Sequence, residues 1–263
     1  VRNWIMAIAL SVLPLAALAQ DTGLKSLDTS DSGRDWMAVG RLDIDGTGFC
    51  TGALISPTLV LTAAHCLFEK HTQKRIDPSR IEFLAGWRRG RASAYRAARQ
   101  AVVHPKYTYS GRATSARVQY DLALIELWQP VRNTTVIPFE TGSRPDRGER
   151  VGVVSYAHDR AEAPSLQQVC SVMTGYRDVM VMSCDVDFGA SGAPIFSLAG
   201  ERPRIVSVVS AKAELDGQNV ALGTALEDSL QLLQSELSNG NGFGLSSTSN
   251  GSGKNVGARF IRP

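Results

Sequence analysis

The sequence predicts an all-β protein closed by a helix near its C-terminal end. Three observations carry that expectation. Short segments rich in valine, isoleucine, leucine and tyrosine recur along the chain, with glycine, proline, asparagine and aspartate between them, as strands joined by turns require. They fall into two sets, divided by a polar stretch (residues 133–150) that carries Pro138, Gly142, Pro145 and Gly148. A helical spacing of apolar residues is concentrated at the end, at Leu226, Leu230, Leu233 and Leu237. Many short strands of this kind build sandwiches or barrels.

Residues 1–19 stand apart. Arg2 gives a weak positive start, and residues 5–18 are apolar except at Ser11 and Pro14. Ala17-Leu18-Ala19 places small residues where a signal peptidase reads them. This reads as a secretory signal cut before Gln20, with export outside the cell or to the periplasm. The segment is short for a membrane anchor and has no basic stop after it. Residues 20–35 are polar, with Asp21, Asp28, Asp31 and Gly33, and read as a loose leader.

The first set of strands is expected at residues 38–44, 50–55, 59–62, 81–85, 95–103 and 122–127. Asp45-Gly46 supplies a hairpin turn between the first two. Asp43 and Asp45 flank that turn without the remaining ligands of a calcium loop, so no ion is assigned to them. The second set is expected at residues 151–156, 166–173, 179–183, 194–197, 205–210 and 220–225. Thr224 and Glu227 have the spacing of a capping box. The helix they would start should pack against the second half. Residues 238–263 are rich in glycine, serine and asparagine and read as a flexible tail with no identifiable partner.

Lys and Arg number 28 against 25 Asp and Glu, a formal net charge of +3 that falls by one with Arg2. So small a balance gives no reason to expect a nucleic-acid partner. Arg88, Arg89 and Arg91 read as a solvated local run. No second long apolar segment predicts a membrane span once the signal is removed, and no phosphate-binding glycine loop predicts a nucleotide. The chain reads as a monomer without a cofactor. Four cysteines in an exported chain imply two disulfides. Three pairings are possible; nearness in sequence favours Cys50 with Cys66 and Cys170 with Cys184.

Three islands carry chemistry. Gly52-Ala53-Leu54-Ile55-Ser56-Pro57-Thr58-Leu59-Val60-Leu61-Thr62-Ala63-Ala64-His65-Cys66 comes first, Asp121-Leu122-Ala123-Leu124 second, and Gly189-Ala190-Ser191-Gly192-Ala193-Pro194 third. A serine hydroxyl is a poor nucleophile at neutral pH and needs a base within hydrogen-bond reach. His65 can take the Ser191 proton and return it to the leaving group, while Asp121 holds the other imidazole nitrogen. His71, His104 and His158 show no zinc spacing with His65, so no metal is assigned.

These islands, in this order, resemble the chymotrypsin-like (trypsin-like) serine peptidases, in their bacterial secreted form. Val103-His104-Pro105-Lys106-Tyr107 has a counterpart there too. The resemblance implies two antiparallel six-stranded β-barrels within residues 36–237, in halves of about 36–132 and 148–237, with the active site between them. It implies a catalytic triad of His65, Asp121 and Ser191, an oxyanion hole from the Gly189 and Ser191 N–H groups, and a polypeptide substrate. The family's animal digestive members carry an aspartate at the position of Ala190, where it pairs with a new N-terminus; Ala190 cannot do so, and other contacts must hold the loop.

Cleavage after arginine or lysine is the first expectation, and cleavage after a small aliphatic residue the alternative. Asp185, six residues before Ser191, matches an acid that binds arginine or lysine in trypsin-like members. The backbone of Ser207 and Val209 is expected to pair with an extended substrate. Val209 would narrow the pocket and Ala221 would lie on its far wall, which favours a small aliphatic residue. A hydrolase that prefers esters, and a noncatalytic binding protein on the same scaffold, remain as other readings.

Overall fold

The computed structural model describes residues 23–110 and 114–244. The expected signal segment and the tail beyond Gly244 lie outside the described residues.

The chain opens with β1 (Leu24–Ser26), then lays down β2 (Val39–Ile44), β3 (Gly48–Ser56), β4 (Leu59–Thr62), β5 (Ile81–Ala85) and β6 (Ala94–Val103). A short helix, α1 (Ser115–Gln119), precedes β7 (Ala123–Leu127). The second set is β8 (Arg150–Ser155), β9 (Ser165–Tyr176), β10 (Val179–Met182), β11 (Pro194–Ser197), β12 (Arg204–Leu215) and β13 (Gln218–Ala225). Helix α2 (Glu227–Ser238) and β14 (Phe243–Gly244) follow.

The strands form two closed antiparallel barrels. One runs β6-β5-β2-β3-β4-β7 and closes through β6 with β7; the other runs β9-β10-β13-β12-β11-β8 and closes through β9 with β8. Each carries one extra short strand on its outside, β14 on β6 and β1 on β9. Closure removes the exposed edges that open sheets must otherwise protect.

Local chemistry explains the turns. Asp45 and Gly46 both take positive φ (49° and 65°) between β2 and β3, the conformation that a tight hairpin demands and that aspartate and glycine tolerate best. The Gly46 N–H donates to Asp43 at 2.8 Å. Asp43 also pairs with Arg41, and Asp45 with Arg80.

The main core runs through the first barrel and into the second. It joins Leu42, Leu54, Phe83 and Leu124 to Val154, Phe196 and Val208. Trp36 lies edge-on to Phe196 at 4.9 Å, and Phe139 meets the same ring at 4.7 Å. The polar crossing is pinned on both sides: the Phe139 N–H donates to Leu54, and the Ile205 N–H to Glu140. A smaller apolar cluster fills the second barrel around Val153, Met180, Ile195 and Ala221.

Four expectations change. The leader is not loose: β1 pairs with β9, Leu27 is buried, and Arg89 holds Asp28. The capping box does not form, because Thr224 is committed to β13 and donates to the Val118 carbonyl, while Glu227 accepts from the Arg144 N–H. Helix α2 packs against β6 and β7 of the first barrel, burying Leu230 and Leu233 there. The chain continues in that direction, so residues 239–244 are not free tail: β14 pairs with β6, and the Arg75 guanidinium lies 4.8 Å over the Phe243 ring.

Candidate active site

His65 sits in a 3-10 turn, Ala64–Leu67, directly after β4. Asp121 sits between α1 and β7, fully buried. The two elements are neighbours because β4 pairs with β7, with Thr62 opposite Ala123. The pairing brings two residues distant in sequence into direct contact.

Asp121 accepts from three donors. One carboxylate oxygen takes the His65 backbone N–H at 2.8 Å. The other faces His65 Nδ1 at 2.7 Å and also accepts from the Ser210 hydroxyl. A buried carboxylate must find such partners, because burial removes the water that would otherwise solvate it. A carboxylate only accepts, so in the neutral ring Nδ1 carries the hydrogen and Nε2 keeps its lone pair. The Cys50 and Cys66 sulfurs lie within 4.8 Å of a His65 nitrogen, and a disulfide joins them. This bond ties the His65 turn to β3.

Ser191 lies in the turn before β11, against the same region. The Thr51 N–H on β3 donates to the Ser191 carbonyl at 2.9 Å. Next to it, Gly192 is packed so closely that an added Cβ would fall 2.2 Å from Thr62 Oγ1 and 2.4 Å from the Thr51 carbonyl. Gly192 also has φ of 77°, so both space and backbone demand glycine. Gly189 has φ of 96°, and a Cβ there would lie 2.6 Å from the Phe49 ring. The structure therefore brings the Ser191 loop against the strand and turn that carry Thr51, Thr62 and His65.

The Gly189 and Ser191 N–H groups donate to no protein acceptor among the described residues. The preceding carbonyls set their directions. The Phe188 carbonyl accepts from His158, and the Ala190 carbonyl from Ala193. In a trans peptide the N–H points opposite to the C=O, so both N–H groups turn away from those partners. Ala190 is buried in the apolar cluster of the second barrel.

The backbone expected to pair with a substrate is engaged within the barrel. Ser207 pairs with Ile195 on one side and Ala225 on the other, and its hydroxyl donates to the Thr224 carbonyl. The Val209 N–H goes to Ala193, and its carbonyl accepts from Gly192. Neither backbone is free to pair with a substrate. Beyond Val209, β12 has only β13 as a strand neighbour among the described residues. The open edge is Ser210–Lys212 and onward, three residues later than expected. Ala221 is fully buried opposite Lys212.

Asp185 meets a partner that sequence reading missed. Lys212 Nζ lies 3.2 Å from its Oδ1. That oxygen is shielded from water and makes no hydrogen bond of good geometry. The ammonium is a close counter-ion rather than an aligned donor. Both disulfides form as expected, Cys50–Cys66 and Cys170–Cys184, and no cysteine is free among the described residues.

Residues 46–202 match the family model of the trypsin-like peptidase domain. Serine protease 23 of Rattus norvegicus is 28% identical over 59% of this chain and 44% of its own length. The human serine protease 23 is 30% identical over 56% of this chain and 42% of its own. Glutamyl endopeptidase of Bacillus licheniformis is 24% identical over 59% of this chain and 47% of its own. The chain spans less than half the length of these curated relatives. A solved glutamyl endopeptidase, in complex with MPD, superposes with a TM-score of 0.66 at 18% identity, over 83% of this chain and 98% of that one.

Proposed function

The chain belongs to the trypsin-like peptidase family, and from that premise we propose that it is a serine endopeptidase working through Ser191, His65 and Asp121. Ser191 Oγ attacks the scissile carbonyl as His65 Nε2 takes its proton. The carbonyl π electrons move onto oxygen, and the Gly189 and Ser191 N–H groups receive that oxyanion. Collapse expels the amine, which leaves with the proton from His65, and an acyl-enzyme remains. Water then repeats the sequence, releasing the acid and restoring Ser191. Asp121 holds the ring tautomer and stabilises the imidazolium. One observation supports this reading above the rest: His65 Nδ1 is committed to a buried carboxylate beside a serine loop with two spare N–H donors. Two disulfides fit export to an oxidising compartment, which is part of the proposal.

For the residue cleaved after, the reading is a small uncharged side chain. A cation entering beside Asp185 would have to displace Lys212, so arginine and lysine lose much of the attraction that an unpaired acid would give them. Val186, Val209 and Ala221 make the neighbouring wall apolar.

A fluorophosphonate probe tests the chemistry. One adduct on the wild type and none on Ser191→Ala is expected; a folded wild type that takes no adduct would favour a binding protein on a peptidase scaffold. A peptide library varied at the cleaved residue tests the selectivity. Alanine, valine or threonine should lead in the wild type, and Lys212→Ala should raise cleavage after arginine about tenfold relative to alanine. A wild type that already prefers arginine would reject the role given to Lys212.

A further inference from the structure

The carbonyls from Phe188 to Ser191 are all taken, and so are three of the five N–H groups from Phe188 to Gly192. The carbonyls of Phe188, Gly189, Ala190 and Ser191 accept from the His158 N–H, the Thr51 hydroxyl, the Ala193 N–H and the Thr51 N–H. The Ala190 and Gly192 N–H groups donate to Asp187 and Val209. The Phe188 N–H donates to the Asp187 side chain, so among these N–H groups those of Gly189 and Ser191 are left without an acceptor among the described residues. Thr51 appears twice in this set, and it belongs to the other barrel.

The Thr51 hydroxyl has one geometry open to it. The Tyr156 N–H donates to its oxygen at 3.1 Å, so its own hydrogen is free for the Gly189 carbonyl, 2.9 Å away. Thr51 is fully buried, and its carbonyl accepts from Thr62 Oγ1 at 2.9 Å. Backbone and side chain are therefore both immobilised. The Gly189 carbonyl is partly buried, and such a group that loses its donor reorients or is left short of a partner.

We propose that Thr51 is a positioning residue for catalysis: its hydroxyl holds the Gly189 carbonyl, fixing the peptide between the two that carry the Gly189 and Ser191 N–H groups, and so restrains both from rotating out of the cleft. Ala190 offers no charge with which to anchor the loop, and a neutral hydrogen bond across the barrel interface does this instead. The inference rests on the proposed peptidase chemistry, in which those N–H groups receive the oxyanion.

The test compares Thr51→Val, which keeps the shape and removes the hydroxyl, with Thr51→Ser, which keeps the hydroxyl. Kinetics on a small peptide substrate should show kcat falling about 10- to 100-fold in Thr51→Val with KM within about twofold, because the lost contact matters most once charge develops on oxygen. Affinity for a peptide aldehyde that forms a tetrahedral adduct should fall in parallel, while affinity for the cleaved product peptide should hold. Thr51→Ser should stay within about threefold of wild type. If Thr51→Val does not fold, Thr51→Ala leaves the same carbonyl without a donor and takes its place. Unchanged kcat in a folded variant without the hydroxyl, or Thr51→Ser as impaired as Thr51→Val, would overturn the proposal. A wild type that labels with fluorophosphonate while the variants behave this way would leave the peptidase reading standing; a wild type that neither labels nor turns over would remove both.

Discussion

Asp121 and His104 show how single residues at this site are fixed. Asp121 gathers three donors, and the one from Ser210 depends on an irregularity: β12 shifts register against β13 between Val209 and Ala211. That bulge turns Ser210 toward Asp121. Strand alternation alone cannot reveal it, which is why the sequence reading names Ser207 and Val209 and not Ser210. His104 is nearly fully buried, stacked on Tyr120 at 4.8 Å, and its Nδ1 accepts the Lys106 N–H. Burial holds its pKa below the ordinary imidazole value; Lys106 adds to the shift and Asp178 opposes it. The unfolded chain therefore takes up this proton at higher pH than the fold does. The associated stability is fully present above a pH of about 6.5 and is lost as pH falls through the lowered folded value. His104→Gln should flatten the decline in urea-unfolding free energy just below that pH, and an unaltered decline would show that His104 does not contribute to it.

Among the elements, strands were more legible than their attachments. Segments such as β5 and β11 are mostly apolar and bounded by turn residues, and their apolar side chains are buried while Glu82 faces out, so pattern and burial agree. Helix α1 has five residues and no apolar period, and its start depends on the Thr114 side chain accepting the Arg117 N–H. β1 and β14 are shorter still and exist because a barrel offers each an edge. Helix α2 was legible as a helix but not in its destination. Its leucines announce an apolar face without naming the surface that receives it. Leu233 is fully buried in the core shared with the first barrel, so Leu233→Ala should cost about 2–5 kcal/mol. Urea unfolding reads this, and a loss well under 1 kcal/mol would mean that α2 is only loosely docked.

At the scale of the molecule, the three islands in the sequence announced the two-barrel architecture, and the fold places His65 against Asp121 and the Ser191 loop against Thr51. What could not be read was how the barrels meet, since Thr51 and Tyr156 belong to no motif. The meeting is built from unlike materials: an aromatic group around Trp36, Phe139 and Phe196, and a polar seam where Thr51 reaches Gly189, Ser191 and Tyr156. Apolar contacts tolerate small sliding, whereas hydrogen bonds near 3 Å do not. The polar seam therefore sets the register of one barrel on the other.

That seam has a consequence for how the molecule would fail. His65 and Asp121 ride on one barrel, and Ser191 on the other. A relative slip of about an ångström would leave both barrels, both disulfides and the aromatic contacts in place, and would already part the three residues proposed to react. Turnover is thus a gauge of alignment between two bodies, and it should fade under heat or denaturant before any spectroscopic sign of melting.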